Sequence, residues 1–253
     1  MSEVELDLSD RTAVLTINRP SARNAIAFTT IGELESALDE LAGSPAEVVV
    51  LRGAGDRAFV SGGDLKDLST VRTEDEAVAM ATRMRRLLDR VVTLTQPVIA
   101  AVNGHALGGG AEVAVAADIR VAADDIRIGF NQVSLAIMPA WGGAERLATI
   151  VGRSQAMLLV GTGTTLPAPE ALRIGLLDRV LPRDEFDDGW HELAAAFARL
   201  PAGAGPAIKA TIAAAAPHHH PDLEHEATRA FSRLWVAPDH WQALADLEAR
   251  RRG

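Results

Sequence analysis

Two glycine-rich corners hold the residues best suited to chemistry. One is Phe59-Val60-Ser61-Gly62-Gly63-Asp64-Leu65, and the other is Asn103-Gly104-His105-Ala106-Leu107-Gly108-Gly109-Gly110-Ala111-Glu112. Glycines let a main chain approach a ligand with no side chain in between. In the second corner they precede an apolar run, Val113 to Ala117, that reads as a helix. Free N–H groups at a helix start, with the positive end of the helix dipole behind them, make an anion site. A phosphate cradle is the rival reading, but Gly104 to Gly110 is neither the Lys-Ser/Thr-ended loop of a nucleotidase nor a G-x-G-x-x-G fingerprint. Two tight turns with packing glycines would be the bland alternative, but together the corners look like more than turns.

Other candidates are weaker. Pro217-His218-His219-His220-Pro221 invites a metal reading, yet adjacent side chains rarely converge on one ion and no H-E-x-x-H helix accompanies them, so the run reads as a solvated interhelical loop. Ser61 precedes glycines as a nucleophile does, but without a G-x-S-x-G elbow it reads as a turn residue. Arg23, Lys66 and Lys209 are cations that could meet phosphates. There is no cysteine, which removes disulfides, thiolate metal sites and cysteine nucleophiles. A net charge of −9 argues against nucleic acid as the main ligand. The acidic first residues do not read as a signal peptide, and the apolar stretch around Pro97 to Ala117 is too interrupted, by Asn103, His105 and Glu112, for a membrane span. A soluble, cytoplasmic protein is expected.

The corners need elements to position them. Val4, Leu6 and Leu8 alternate as a half-buried strand, with Val14, Thr16 and Asn18 on the same face across a Ser9-Asp10 turn. Ile31, Leu34, Leu38 and Leu41 mark one helical face, stopped by Gly43-Ser44-Pro45. Val48 to Leu51 is an uninterrupted apolar run, as in a strand covered on both faces. The pattern recurs: Met80, Met84, Leu87, Leu88 and Val91 predict a long helix, then Pro97 to Val102 a second buried strand. Ile119 to Ala122 and Ile126 to Phe130 are further strands, so the class is α/β with crossover connections. Beyond about Pro182 only helical stripes remain: Phe186, Trp190, Leu193 and Phe197, then Leu223, Ala227, Ala230, Phe231 and Leu234, then Trp241, Leu244 and Leu247. We divide the chain into a core over 1–195 and a helical region over 196–253 whose stripes, with Trp190, Trp235 and Trp241, pack on the core or on a neighbouring subunit.

The run Gln96-Pro97-Val98-Ile99-Ala100-Ala101-Val102-Asn103-Gly104-His105-Ala106-Leu107-Gly108-Gly109-Gly110-Ala111-Glu112, with Ala117-Asp118-Ile119-Arg120 after it, closely resembles the signature of the enoyl-CoA hydratase/isomerase (crotonase) family. Asn18-Arg19-Pro20 with Asn24-Ala25, Phe59 to Leu65, Trp141-Gly142-Gly143 with Arg146-Leu147, and Ala171 to Leu181 match in order, so the resemblance covers nearly the whole chain. It implies a spiral core of repeated ββα turns, a helical C-terminal trimerisation region, a homotrimer or homohexamer, and an acyl-CoA thioester bound between the corners. No cofactor is implied beyond the coenzyme A of the substrate. One oxyanion N–H would come from Gly63 and the other from Gly109, each such donor contributing ~2.7 to 4 kcal/mol as negative charge builds on the thioester oxygen. Carried over residue by residue, Ala22, Arg23, Ala25, Ser61, Gly62, Asp64, Leu65, Lys66, Leu107, Gly108, Asn131, Pro139 and Trp141 would contact the substrate.

Hydratases of the family place a water with two glutamates. The first matches Glu112; counted without a gap, the second falls at Gln132. An amide cannot act as a general acid or base at neutral pH, so two-glutamate hydration lacks its second acid here. Glu145 is read as a helix N-terminal acid. The runs Ala136 to Ala144 and Ala171 to Gly175 look most like the branch that decarboxylates ethylmalonyl-CoA or methylmalonyl-CoA, where loss of CO2 itself generates the enolate. Gln132 fits that demand, and Asn131 beside it could donate a hydrogen bond. Hydratase, Δ3-Δ2 isomerase and decarboxylase therefore stay open as subtypes, with a non-catalytic relative that binds acyl-CoA or RNA as the alternative class. The acyl-chain pocket is not readable.

Overall fold

A computed structural model describes residues 2–214 and 221–252; the histidine run His218 to His220 and the side chain of Leu223 fall outside what it describes. The first two strands, β1 (Val4–Ser9) and β2 (Thr12–Ile17), form the expected hairpin in a different register. Val4 pairs with Ile17 and Ser9 with Thr12, so the turn is Asp10-Arg11, with φ of 47° and 63°. Two positive-φ residues match the twist of a tight hairpin, which a turn at Ser9-Asp10 would not. The shift of one residue turns Ala13, Leu15 and Ile17 into the core instead of Val14 and Thr16.

After α1 (Phe28–Ala42), which buries Ile31, Leu34, Leu38 and Leu41 and stops at Gly43, a unit repeats. Each unit sends one strand to a large sheet, one to a small sheet, and returns through helix. The first is β3 (Val48–Gly53), β4 (Ala58–Val60), α2 (Leu65–Leu68) and α3 (Glu74–Thr93). The second is β5 (Val98–Val102), β6 (His105–Leu107) and α4 (Gly109–Ala114). The third is β7 (Ile119–Ala123), β8 (Arg127–Gly129), α5 (Gly143–Val151) and α6 (Arg153–Thr162). Then β9 (Thr165–Pro167), α7 (Ala168–Arg173) and β10 (Arg179–Leu181) complete the sheets, ordered β1-β2-β3-β5-β7-β10 and β4-β6-β8-β9. This is the mixed α/β architecture of repeated ββα turns. Strand β5 is buried along its whole length, as its unbroken apolar run predicts.

The small sheet positions the site. Parallel pairing of β4 with β6, Ala58 opposite His105, sets the two glycine corners side by side although some 45 residues separate them in sequence. The second corner enters helix earlier than expected, since α4 begins at Gly109 and ends at Ala114 rather than spanning Val113 to Ala117. Gly110 then lies on β4, where an ideal Cβ would stand 1.7 Å from the Val60 carbonyl oxygen.

Beyond β10 the chain is helical. In α8 (Phe186–Ala198) the residues Phe186, Trp190 and Ala194 are buried, and the boundary expected at 195 lies inside this helix. The sequence reading passed over α9 (Ala204–Ala214), which Lys209 ties down through Asp118 Oδ2 (2.8 Å) and the Gln96 carbonyl (3.1 Å). The last two helices are α10 (Pro221–Val236), packed along α3, and α11 (Pro238–Arg252). The buried face of α10 is Thr228, Phe231, Ser232 and Trp235, leaving Leu234 40% exposed. The stripe drawn from apolar residues alone was turned because Ser232 buries its hydroxyl by donating to the Arg229 carbonyl (2.9 Å). Among the described residues no helix is long and apolar enough to cross a membrane.

Candidate active site

Main-chain geometry aims the two corners. Ile26 N–H donates to the Gly62 carbonyl and Asp64 N–H to the Ile26 carbonyl, both at 2.8 Å. Gly63 sits between the two residues so bonded, and its own N–H therefore faces the opposite side. Gly109 is the first residue of α4, where an N–H has no acceptor within the helix. The corners touch: an ideal Cβ on Gly62 would be 3.4 Å from the Gly109 nitrogen. What crowds Gly109 is the protein itself, because a Cβ there would stand 2.2 Å from Cζ3 of the Trp141 indole.

Glu112 lies behind this pair and is only 2% exposed. Its Oε2 accepts from the backbone N–H of Trp141 (2.8 Å) and of Gly143 (2.9 Å), and its Oε1 accepts from Gln132 Nε2 (3.0 Å). Burial pushes its pKa up to about 7, against the opposing pull of the two backbone donors and the Arg146 charge. The ungapped count thus brings Gln132 to the carboxylate. Gln132 Oε1 is buried and has no hydrogen-bond partner among the described residues.

These groups line a cavity of about 240 Å³. Of the residues singled out in the sequence, Arg23, Ser61, Gly62, Gly63, Leu65, Leu107, Gly108, Gly109, Glu112, Asn131, Gln132 and Trp141 lie on its surface. Ala22, Ala25, Asp64, Lys66 and Pro139 do not. Ala25 and Pro139 are buried, and Lys66 faces solvent. Asp64 instead caps α2 and pairs with Arg19 at 2.9 Å, bracing the first corner from outside. Glu145 is in the first turn of α5 as expected, but its partner is the buried Arg85 guanidinium at 2.9 Å. Lys209, engaged with Asp118, is not available to a phosphate.

The sequence reading missed the apolar end of the cavity, where Leu68, Met80, Leu135 and Ile137 meet Phe231, Trp235 and Leu247 of the last two helices. An outer cavity of about 540 Å³ continues from the inner one through Arg23, Ser61 and Leu107 and adds Arg57, His105 and Arg183. Arg57 carried no motif signal, and among the described residues neither it nor Arg23 has an ion-pair partner.

The Enoyl-CoA hydratase/isomerase family model matches residues 8–241. The chain is 38% identical over 195 residues to the short-chain-enoyl-CoA hydratase of Clostridium acetobutylicum, covering 77% of this chain and 74% of that one. It is 39% identical over 185 residues to the crotonyl-CoA hydratase of Syntrophomonas wolfei, covering 72% and 70%. Among solved structures, an enoyl-CoA hydratase from Mycobacterium avium subsp. paratuberculosis superposes with a TM-score of 0.87 at 29% identity, over 96% of this chain and 98% of that one. An enoyl-CoA hydratase/isomerase from Xanthobacter autotrophicus gives 0.87 at 25% identity, over 99% and 93%. Fold, motif order and family match agree, and the chain belongs to the enoyl-CoA hydratase/isomerase family, enzymes of acyl-CoA thioesters.

Proposed function

We propose that the chain transforms an acyl-CoA thioester through an enolate whose oxygen is held by the N–H groups of Gly63 and Gly109, with Glu112 as the one side chain that moves protons. The observation that carries this is Glu112 itself: buried, raised to about 7, and placed behind the two corners. A carboxyl group with that pKa is matched to proton transfer near neutral pH. Oε2 accepts from two backbone donors and Oε1 from the single Gln132 amide, so Oε1 is the oxygen that takes the proton.

With an amide at the second acid's position, the subtype best supported is a proton shuttle. Glu112 removes a proton from C2 of a 3-enoyl thioester, the electron pair passes to the thioester oxygen as a dienolate, and the same proton returns at C4 with the double bond now at C2. One carboxylate suffices, since it is regenerated within the cycle. The second reading, decarboxylation of methylmalonyl- or ethylmalonyl-CoA, is favoured by the same substitution: Gln132 removes a charge that would face the substrate's carboxylate. Arg23 and Arg57 in the outer cavity suit the phosphates of the coenzyme.

Parallel turnover of crotonyl-CoA, 3-enoyl-CoA and methylmalonyl-CoA by wild type and Glu112→Gln tests this. The shuttle requires 3-enoyl-CoA to be preferred and its turnover to collapse in the variant; decarboxylation that survives in the variant favours the second reading. Assembly as a trimer or a dimer of trimers is also inferred, from Met157, Leu158, Ile208 and Ile212 exposed on α6 and α9. Light scattering showing only monomer at micromolar concentration would contradict it.

A further inference from the structure

The turn at Trp141-Gly142-Gly143 has two functions in the site. Its N–H groups at Trp141 and Gly143 grip Glu112 Oε2, and its indole lies against Gly109. Such a turn must itself be held, for it lies between a 3-10 segment ending at Leu135 and the start of α5. The hold comes from Arg146. Its Nη1 donates to the Trp141 carbonyl at 2.8 Å, and its Nη2 pairs with Asp89 of α3. The guanidinium lies directly over Gly142, where an ideal Cβ would meet Nη1 at 2.7 Å. The side chain is largely buried, 15% exposed, so the contact is shielded from solvent.

We infer that Arg146, braced by Asp89, is the positioning residue that keeps the Trp141-Gly142-Gly143 turn, and through it Glu112 and the indole against Gly109, in working geometry. A planar fork can serve a carbonyl and a carboxylate at once, whereas an ammonium acts as a point charge. The charged groups around the turn are Arg85 and Asp89 of α3 and Glu145 and Arg146 of α5. Arg85 pairs with Glu145, and Arg146 is a cation that bonds the turn directly. The inference rests on the reading of Glu112 as the proton-transfer group.

The test is kcat and KM as functions of pH for Arg146→Met, Arg146→Lys, Asp89→Asn and, in parallel, Glu112→Gln, on whichever of the three thioesters the wild type turns over. Arg146→Met should lower kcat at least tenfold with KM within about threefold, and should move the acid limb of the profile to higher pH. Both changes it makes, loss of a cation and loosening of two N–H donors, favour protonated Glu112. Arg146→Lys should restore the limb more than it restores kcat, and Asp89→Asn should give a smaller fall in the same direction. If Glu112→Gln is inactive while Arg146→Met folds, by circular dichroism, and keeps both kcat and the limb, the positioning role is overturned and the reading of Glu112 stands. If Glu112→Gln remains active, the reading fails first. Should Arg146→Met not fold, wild-type profiles in both Arg146→Lys and Asp89→Asn overturn the inference.

Discussion

The cavity has a floor and a far wall made of different material. The floor is main chain: Gly63 and Gly109 at the cavity surface, and behind them the N–H groups of Trp141 and Gly143 that hold Glu112, all fixed by strand ends and helix starts around the small sheet. The wall is side chain: Phe231, Trp235 and Leu247 delivered by α10 and α11 onto Leu68 and Met80. It is held by a few directed contacts, with Trp235 Nε1 donating to the Val71 carbonyl (3.1 Å), His240 Nδ1 bonded to the Leu135 carbonyl (2.7 Å) and Arg72 lying 4.0 Å over the Trp241 ring. A substitution deletes part of the wall, but the floor changes only when the backbone is displaced. Floor changes should therefore abolish turnover, and wall changes should redirect it.

The most severe test is Gly109→Ala, whose methyl would enter the Trp141 indole. Displacing one oxyanion donor lowers kcat by about 10²–10³. A steady-state rate within tenfold of wild type would show that Gly109 is not such a donor.

The next concerns stability, because the floor also holds a carboxyl group out of water. Burial pushes the Glu112 pKa up to about 7 from its ordinary 4.5, so its contribution favours the folded state below the unfolded value and is lost as pH rises through about 7. Urea melts should show this group destabilising the protein between pH 5 and pH 8 by up to roughly 3 kcal/mol, a slope absent from Glu112→Gln. Identical pH dependence in the two proteins would place the group's pKa near its ordinary value.

Gln132→Glu should raise crotonyl-CoA hydration about tenfold or more above its starting level while impairing any decarboxylation of methylmalonyl-CoA. It restores a carboxylate pair and pushes one of the two pKa values upward. Rapid hydration by the wild type, unchanged by the substitution, would remove Gln132 from the chemistry. The smallest effect belongs to the wall. Phe231→Ala should raise the kcat/KM ratio of octenoyl to butenoyl thioesters by about tenfold, with the butenoyl kcat nearly intact. An equal loss on both chains would make Phe231 part of the floor's support instead.

The same division explains what could be read from sequence. Part of the floor is contiguous: a buried strand, the corner with Gly109 and the Glu112 carboxylate follow one another from Val98 to Glu112, and Gly63, Trp141 and Gly143 lie in short glycine motifs of their own, so local patterns contain them. Gln132 meets Glu112 through packing, and only the family resemblance aligned it. The wall has no local pattern, since residues 68, 80, 135, 231 and 247 come together only after α10 docks on α3. Buried Thr228 and Ser232 hide the docking face from any count of apolar residues. The hairpin register failed for a related reason. The outer face of β2 carries Val14 between Thr12 and Thr16 and so imitates a core face, and the positive-φ turn at Asp10-Arg11 contains no glycine to announce it.

Gly110 carries the longest reach of these features. With α4 resting on the Val60 carbonyl, backbone against backbone, the spacing of the two glycine corners is set at this point by main chain alone. On the mechanism proposed above, a change at Gln132 or on the inner faces of α10 and α11 leaves the place of the thioester oxygen unaltered. Keeping that contact requires a bare hydrogen atom at Gly110, where any other residue would drive a side chain into the Val60 carbonyl.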